Sequence, residues 1–127
     1  MEYVSTSPAF VRGLNGTKRK FAEHSCVSVP LTVIENDVWF GHGVFVKAGV
    51  TIHTGAVVGM NSVVLRDIGP YEIWAGDPAV KIRDRFSDNL KNRLLDSGWW
   101  ELDDEKLMHY AQYFNNPEKF VEQIEYR

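Results

Sequence analysis

Cysteine is nearly absent from this sequence: Cys26 stands alone among 127 residues. A single thiol excludes an intrachain disulfide, and with it the stapled frameworks of small secreted domains. It also excludes the common zinc frameworks. No His/Cys/Asp/Glu spacing resembles a metal site, so no metal is expected. One lone cysteine fits a reducing compartment, and the expected localisation is cytoplasmic. Long apolar runs are missing too. None approaches the roughly 20 residues of a membrane span, so no membrane partner is expected. The opening MEYVSTSPAF lacks a basic stretch followed by an apolar core, so no signal peptide is expected. Positive charge is not in excess. A net charge of -3 argues against nucleic acid or an anionic membrane as the main partner. There is no glycine-rich phosphate loop and no Ser-His-Asp order.

What remains is a soluble, globular composition, 44% hydrophobic and 24% charged, at a length suited to one domain. Three zones are legible. Residues 1–32 are irregular and rich in turn formers: Ser7-Pro8, Gly13, Asn15-Gly16 and Pro30. This zone is read as a loop region with an incomplete first coil. Its basic run, Lys18-Arg19-Lys20, reads as a solvated loop tip.

Residues 33–69 carry a repeat. One apolar series steps by six: Ile34, Phe40, Val46, Ile52, Val58, Val64. A second lies four residues after each: Val38, Val44, Val50, Ala56, Ser62, Ile68. Only Ser62 is polar. The inward gaps therefore alternate 4, 2, 4, 2. A helix wants 3 and 4, and a long strand wants unbroken 2s. A gap of 2 is strand alternation, and a gap of 4 that keeps the next side chain inward needs a corner. Six residues make one short strand and one corner. Three sides close a triangular coil of 18 residues, so Ile34 should stack on Ile52, Phe40 on Val58, Val46 on Val64 and Gly41 on Gly59. Glycines at 41, 43, 49, 55, 59 and 69 suit corners or close packing. Short hexapeptide repeats are a β-helix signature. The reading is a mainly β fold, a parallel β-helix followed by short C-terminal α-helices.

Residues 70–127 change character. Pro70 and Pro78 flank a segment without period, read as a connection within the same domain. Ser87 can cap a helix running to about Ser97 and stopped by Gly98. Asp103 can cap a second to about Phe114. Asn116-Pro117 opens a third, with Asn as cap and Pro in the first helical position. Leu90, Leu94, Leu95, Leu107, Tyr110, Ala111 and Phe114 fall at helical spacings and read as packing.

The segment from Ile34 to Phe86 resembles the hexapeptide-repeat acyltransferases, in particular their xenobiotic and polysaccharide acetyltransferase branch. The motifs that carry the resemblance are NDVWFG (36–41), GVTIHTGAVVG (49–59), the GDPA turn (76–79), the RF ending (85–86) and Trp99-Trp100. The resemblance implies a left-handed coil, a homotrimer, and acetyl-CoA bound between neighbouring subunits as acyl donor. It implies a histidine acting as general base on a small hydroxyl or amine acceptor, such as a sugar or antibiotic.

Carried over residue by residue, the resemblance points to Gly41, His42, Gly59, Met60, Leu65, Arg66, Lys81 and Arg83 as donor-binding positions. His42 stands where relatives often have Ser, and Met60 where they often have Ala. Leu65-Arg66 replaces a Thr-Lys pair beside the CoA phosphates. Val80 replaces a basic residue, with Lys81 next to it. The branch's catalytic histidine precedes a Ser-Thr stretch like VSTSPAF (4–10). Met1-Glu2 falls where Met-Asp would be, so that histidine is expected just before Met1. No catalytic residue is therefore assigned, and slow or absent transfer by these 127 residues is the expectation.

Four histidines remain. His24 reads as structural or solvent-facing, with a replacement base as its alternative role. His42 reads as a donor contact. His53 lies 18 residues after Glu35 and reads as its surface ion-pair partner. His109 reads as packing. Trp74 reads as core, with stacking on adenine as the alternative. A non-catalytic trimeric remnant that at most binds CoA is the competing functional class. A structural solenoid with an ice-binding face is disfavoured, because only Thr51 and Thr54 fall on the coil exterior.

Overall fold

The computed structural model describes residues 3–13, 16, 18–26 and 28–126. The chain falls into two compact units, Met1–Pro30 and Leu31–Arg127. Met1-Glu2 and Asn15, used in the sequence argument, lie outside the described residues.

In the first unit a one-turn 3-10 helix spans Pro8–Phe10, and the Ser7 hydroxyl accepts from the Ala9 amide at its start. An isolated bridge pairs Val11 with His24. The Lys20 ammonium donates to the carbonyls of Pro8 and Val11. Lys20 therefore ties the loop together rather than waving at a loop tip.

The second unit begins with six two-residue strands: β1 (Val33–Ile34), β2 (Trp39–Phe40), β3 (Phe45–Val46), β4 (Thr51–Ile52), β5 (Val57–Val58) and β6 (Val63–Val64). They pair in parallel, β1 with β4, β2 with β5 and β3 with β6. Ile34 aligns with Ile52, Phe40 with Val58 and Val46 with Val64, the offset of 18 that the repeat requires. The chain thus rises one rung for every three strand-and-corner sides.

Burial follows the repeat in the upper turn. Val50, Ile52, Ala56, Val58, Val64 and Ile68 are all at most 4% exposed. Ser62 is buried without penalty because its hydroxyl donates to the Gly59 carbonyl and accepts from the Gly76 amide. The lower turn departs from the expectation. Ile34 is 51% exposed, and Val38, Phe40, Val44 and Val46 are only half-buried. β1, β2 and β3 are edge strands, so their inward side chains have a rung on one side only.

Five successive corners each place one residue at positive φ, at a period of six. Asp37, Gly43, Gly49, Gly55 and Asn61 all have φ between 51° and 83°. Glycine adopts this region freely, and Asn and Asp are the L-residues that tolerate it best. The row ends at Asp67, whose carboxylate instead accepts from the Thr51 amide.

Beyond Gly69 the segment read as a connection is structured. β7 (Glu72–Gly76) adds a third rung to β5, and β8 (Ala79–Asp84) returns antiparallel beside it through a turn containing cis Asp77–Pro78. Val58 aligns with Trp74 and Ile52 bridges to Ile68, so this turn is two residues shorter than the others. That contraction is why no hexad continues through it. Trp74, 8% exposed, closes the coil core from above.

Three helices follow: α1 (Asp88–Ser97), α2 (Asp104–Ala111) and α3 (Pro117–Glu125). Ser87, Asp103 and Asn116 cap them through their side chains, and Gly98 ends α1 in the left-handed region. α2 stops three residues before the expected Phe114. The amides of Tyr113 and Phe114 bond back only three residues, to Tyr110 and Ala111, and this tighter winding ends the α-helix. Ala111 is consequently exposed, whereas Phe114, though 42% exposed, packs edge-on against the rings of Trp99 and Phe120. A second core joins Tyr71 to Leu90, Leu94, Phe120, Val121 and Ile124. The Arg93 guanidinium grips Glu125 with two bonds of 2.7 Å, fixing α1 to α3. Among the described residues, no helix is long and apolar enough to cross a membrane.

Candidate functional site

The β2–β5–β7–β8 sheet brings several of the sequence-selected residues to one corner of the coil. Gly41 follows β2, and its amide donates to the Val58 carbonyl at 2.8 Å. A Cβ on Gly41 would lie 2.4 Å from the Met60 amide nitrogen. One rung higher, the Gly59 amide donates to the Trp74 carbonyl, and a Cβ there would meet the Ala75 Cβ at 2.9 Å. The two glycines are therefore required by backbone approach, not by φ. Met60 is 71% exposed beside them. His42 is also exposed, and its carbonyl accepts from the Asn61 amide at 2.8 Å. Ala75 joins this row but was not selected, since it stands 16 residues after Gly59 instead of 18. Val80, aligned with Ala75 across β7 and β8, extends the row and is 48% exposed.

The basic residues divide into two kinds. The Arg66 guanidinium lies 5.7 Å from the Trp74 ring centroid, and Arg83 donates to the Asp84 carbonyl at 3.2 Å. Both carry charge that no carboxylate on the described residues balances by an ion pair. Lys81 differs. Its ammonium is 3.1 Å from Glu72 and 3.1 Å from Asp84, so two acidic groups already neutralise it. Leu65, beside Arg66, is 48% exposed. Trp74 is core, as the plainer reading had it. Its indole N–H donates to Glu72 and it is 8% exposed.

Glu72 organises this corner. Its carboxylate accepts from the Gly69 amide at 3.0 Å, from Trp74 Nε1 at 2.8 Å and from Lys81 at 3.1 Å. Burial alone would raise its pKa, but these three donors hold it below the ordinary 4.5. A lowered folded-state pKa stabilises the protein above the unfolded value and is lost as pH falls through the folded one. Glu72→Gln is therefore expected to cost about 1–3 kcal/mol at neutral pH. Urea unfolding should also show a shallower loss of stability below pH 4.5 than in the parent.

His53 Nδ1 sits 3.1 Å from Glu35, as the 18-residue offset suggested. Glu35 also accepts from the Thr54 amide and hydroxyl. Burial opposes ionisation of Glu35, yet these bonds and His53 keep its pKa lowered. Thr54 is 4% exposed, which corrects its placement on the exterior. His109 is exposed on the last turn of α2, its ring edge-on to Tyr110, and so is not packing. His24 belongs to the first unit, exposed, with its ring 5.8 Å from that of Tyr3. Among the described residues no group of three His, Cys, Asp or Glu side chains is placed to hold a metal.

Residues 31–66 match the family described as bacterial transferase hexapeptide (six repeats). The chain is 38% identical over 105 residues to a chloramphenicol acetyltransferase of Klebsiella aerogenes, covering 83% of this chain and 46% of that protein. It is 43% identical over 106 residues to one from Agrobacterium fabrum, covering 84% and 50%. The chain thus spans about half the length of the curated relatives it matches. A solved structure of a hexapeptide-repeat acetyltransferase from Vibrio cholerae, complexed with acetyl coenzyme A, aligns with a TM-score of 0.46 at 36% identity, covering 61% of this chain and 40% of that one.

Proposed function

This chain belongs to the hexapeptide-repeat acyltransferases, and from that membership we propose that it carries the donor-binding part of an acetyl-CoA-dependent O- or N-acetyltransferase. The coil is left-handed, the protein is a homotrimer, and acetyl-CoA lies in the groove between neighbouring subunits. The acceptor is a small molecule with a hydroxyl or amine, such as a sugar or antibiotic. Its oxygen or nitrogen attacks the thioester carbonyl, its proton passes to a base, and CoA leaves as the thiol. The observation that carries the reading is the row of Gly41, Gly59 and Ala75. It presents smooth backbone at one corner, along which an extended pantetheine arm can lie, with Arg66 and Arg83 nearby for its phosphates.

The trimer is supported by the outward face of the lower turn. Trp39 is 58% exposed and Phe45 70% exposed. They lie on strands of two different sides of the coil, and large apolar side chains left exposed on a surface are what a subunit interface would cover. Light scattering at micromolar concentration is expected to give three chains per particle, and a monomer would remove this part of the proposal. For the base, His24 is the candidate in the first unit. An acetyl-CoA turnover assay decides it: robust turnover by the parent that is lost in His24→Ala assigns the base to His24, and slow, absent or unchanged turnover leaves His24 without that role.

The phosphate assignment is tested by removing cations one class at a time. Arg66→Ala with Arg83→Ala is expected to weaken acetyl-CoA binding about a hundredfold or more in calorimetry, since each charged hydrogen bond contributes about 1.5–3 kcal/mol. Lys81→Ala should weaken it less, because Glu72 and Asp84 already occupy that ammonium. Equal affinity of parent and double variant would put the phosphates elsewhere.

A further inference from the structure

A cavity lies away from the glycine row, where the coil meets the helices. It has a volume of about 170 Å³. Its walls are aromatic: Tyr71, Phe86, Trp99, Phe114 and Phe120. Asp37, at a positive-φ corner of the coil, and Phe114, 42% exposed, form its rim. None of the residues invoked for acetyl transfer contributes to it.

Two features make this more than an imperfection of packing. The first is size. A volume of about 170 Å³, walled mostly by aromatic rings and open at the Asp37–Phe114 rim, has room for one benzene-sized molecule. The second is the Tyr71 hydroxyl. Tyr71 is only 2% exposed, and its oxygen accepts from Trp99 Nε1 at 3.1 Å. Among the described residues nothing accepts the hydroxyl's own proton. A buried donor without an acceptor is costly, and a ligand atom with a lone pair would relieve it. Charge at the site is already committed. Arg85 donates to the Gly55 carbonyl at 2.7 Å and sits over the rings of Tyr71 and Phe86. Its cation and the Asp37 carboxylate are both present, so a charged ligand gains from one and loses to the other.

We propose that this cavity binds a small neutral aromatic molecule carrying one hydrogen-bond acceptor, of the phenol or indole class, with Tyr71 donating to it. Trp99 lines the cavity, so occupancy is read directly. Titrating the full chain with phenol is expected to change tryptophan fluorescence saturably and to raise the midpoint of thermal unfolding. Toluene, which has the shape without the oxygen, should bind about fivefold more weakly, the difference one neutral hydrogen bond supplies. In Tyr71→Phe the phenol preference should vanish while toluene binding persists. Because fluorescence also comes from three other tryptophans, Phe114→Trp, which adds bulk at the rim, provides the check. It should abolish the thermal shift by phenol while remaining folded by circular dichroism. No thermal shift of the parent with phenol, indole or toluene at millimolar concentration overturns the proposal. So does a phenol preference that survives Tyr71→Phe.

Discussion

Ile52→Ala is expected to lower the free energy of unfolding by about 2–5 kcal/mol, as large-to-small changes in a packed core do. Ile52 is 0% exposed. It has a rung on both sides, Ile34 below and Ile68 above, so the void left by the lost atoms cannot collapse from either direction. Ile34→Ala is the internal comparison. The same chemistry at a residue 51% exposed should cost well under half as much. Urea denaturation of the two variants checks this, and equal losses would mean that the lower turn is covered in solution.

Gly55→Ala should be at least as damaging, for two reasons that add. At φ +74° an L-residue is strained by about 1–2 kcal/mol. The new Cβ would also lie 2.3 Å from the Tyr71 ring. Tyr71 is buried and belongs to the helix-side core, so displacing its ring disturbs that packing. A total above about 3 kcal/mol is expected once displacement of a buried aromatic is included. Gly43→Ala separates the two causes. It shares the positive φ, but its Cβ meets only the tip of the Asn61 side chain, which can swing away. If thermal unfolding shows the two variants equally impaired, the tyrosine contact is not what Gly55 protects.

How much of this was legible in the sequence depends on period. The alternation of 4 and 2 between Ile34 and Ile68 contains the strand register and the inward face, because six residues per side is set by the backbone. It does not say how deeply each inward residue is buried. Ile34 and Ile52 carry the same side chain at equivalent positions and differ from half-exposed to fully buried, a consequence of which rungs exist above and below. The corner row was only partly read. Glycines at 43, 49 and 55 stood out, whereas Asp37 and Asn61 complete the same row and needed the six-residue spacing to be applied to αL-tolerant residues generally. β7 and β8 were illegible because the turn beneath them is two residues short.

The candidate site was legible in its glycines and obscure in its charges. Gly41 and Gly59 follow from an offset of 18. That Lys81 is neutralised does not, since Glu72 reaches it across an antiparallel pair that sequence reasoning had placed in a loop. The cavity beside Tyr71 was invisible for the same reason: it is walled by a coil corner at Asp37, the residues flanking β7 and β8, helices α1 and α3, and the turns at Trp99 and Phe114, far apart in the chain.

Calorimetric titration of acetyl-CoA into the protein tests the central claim most directly. Saturable binding at one donor per subunit is expected, weakening as salt is raised because Arg66 and Arg83 supply the attraction within an overall negative chain. Absence of saturable heat up to millimolar acetyl-CoA, or an affinity indifferent to salt, would contradict it.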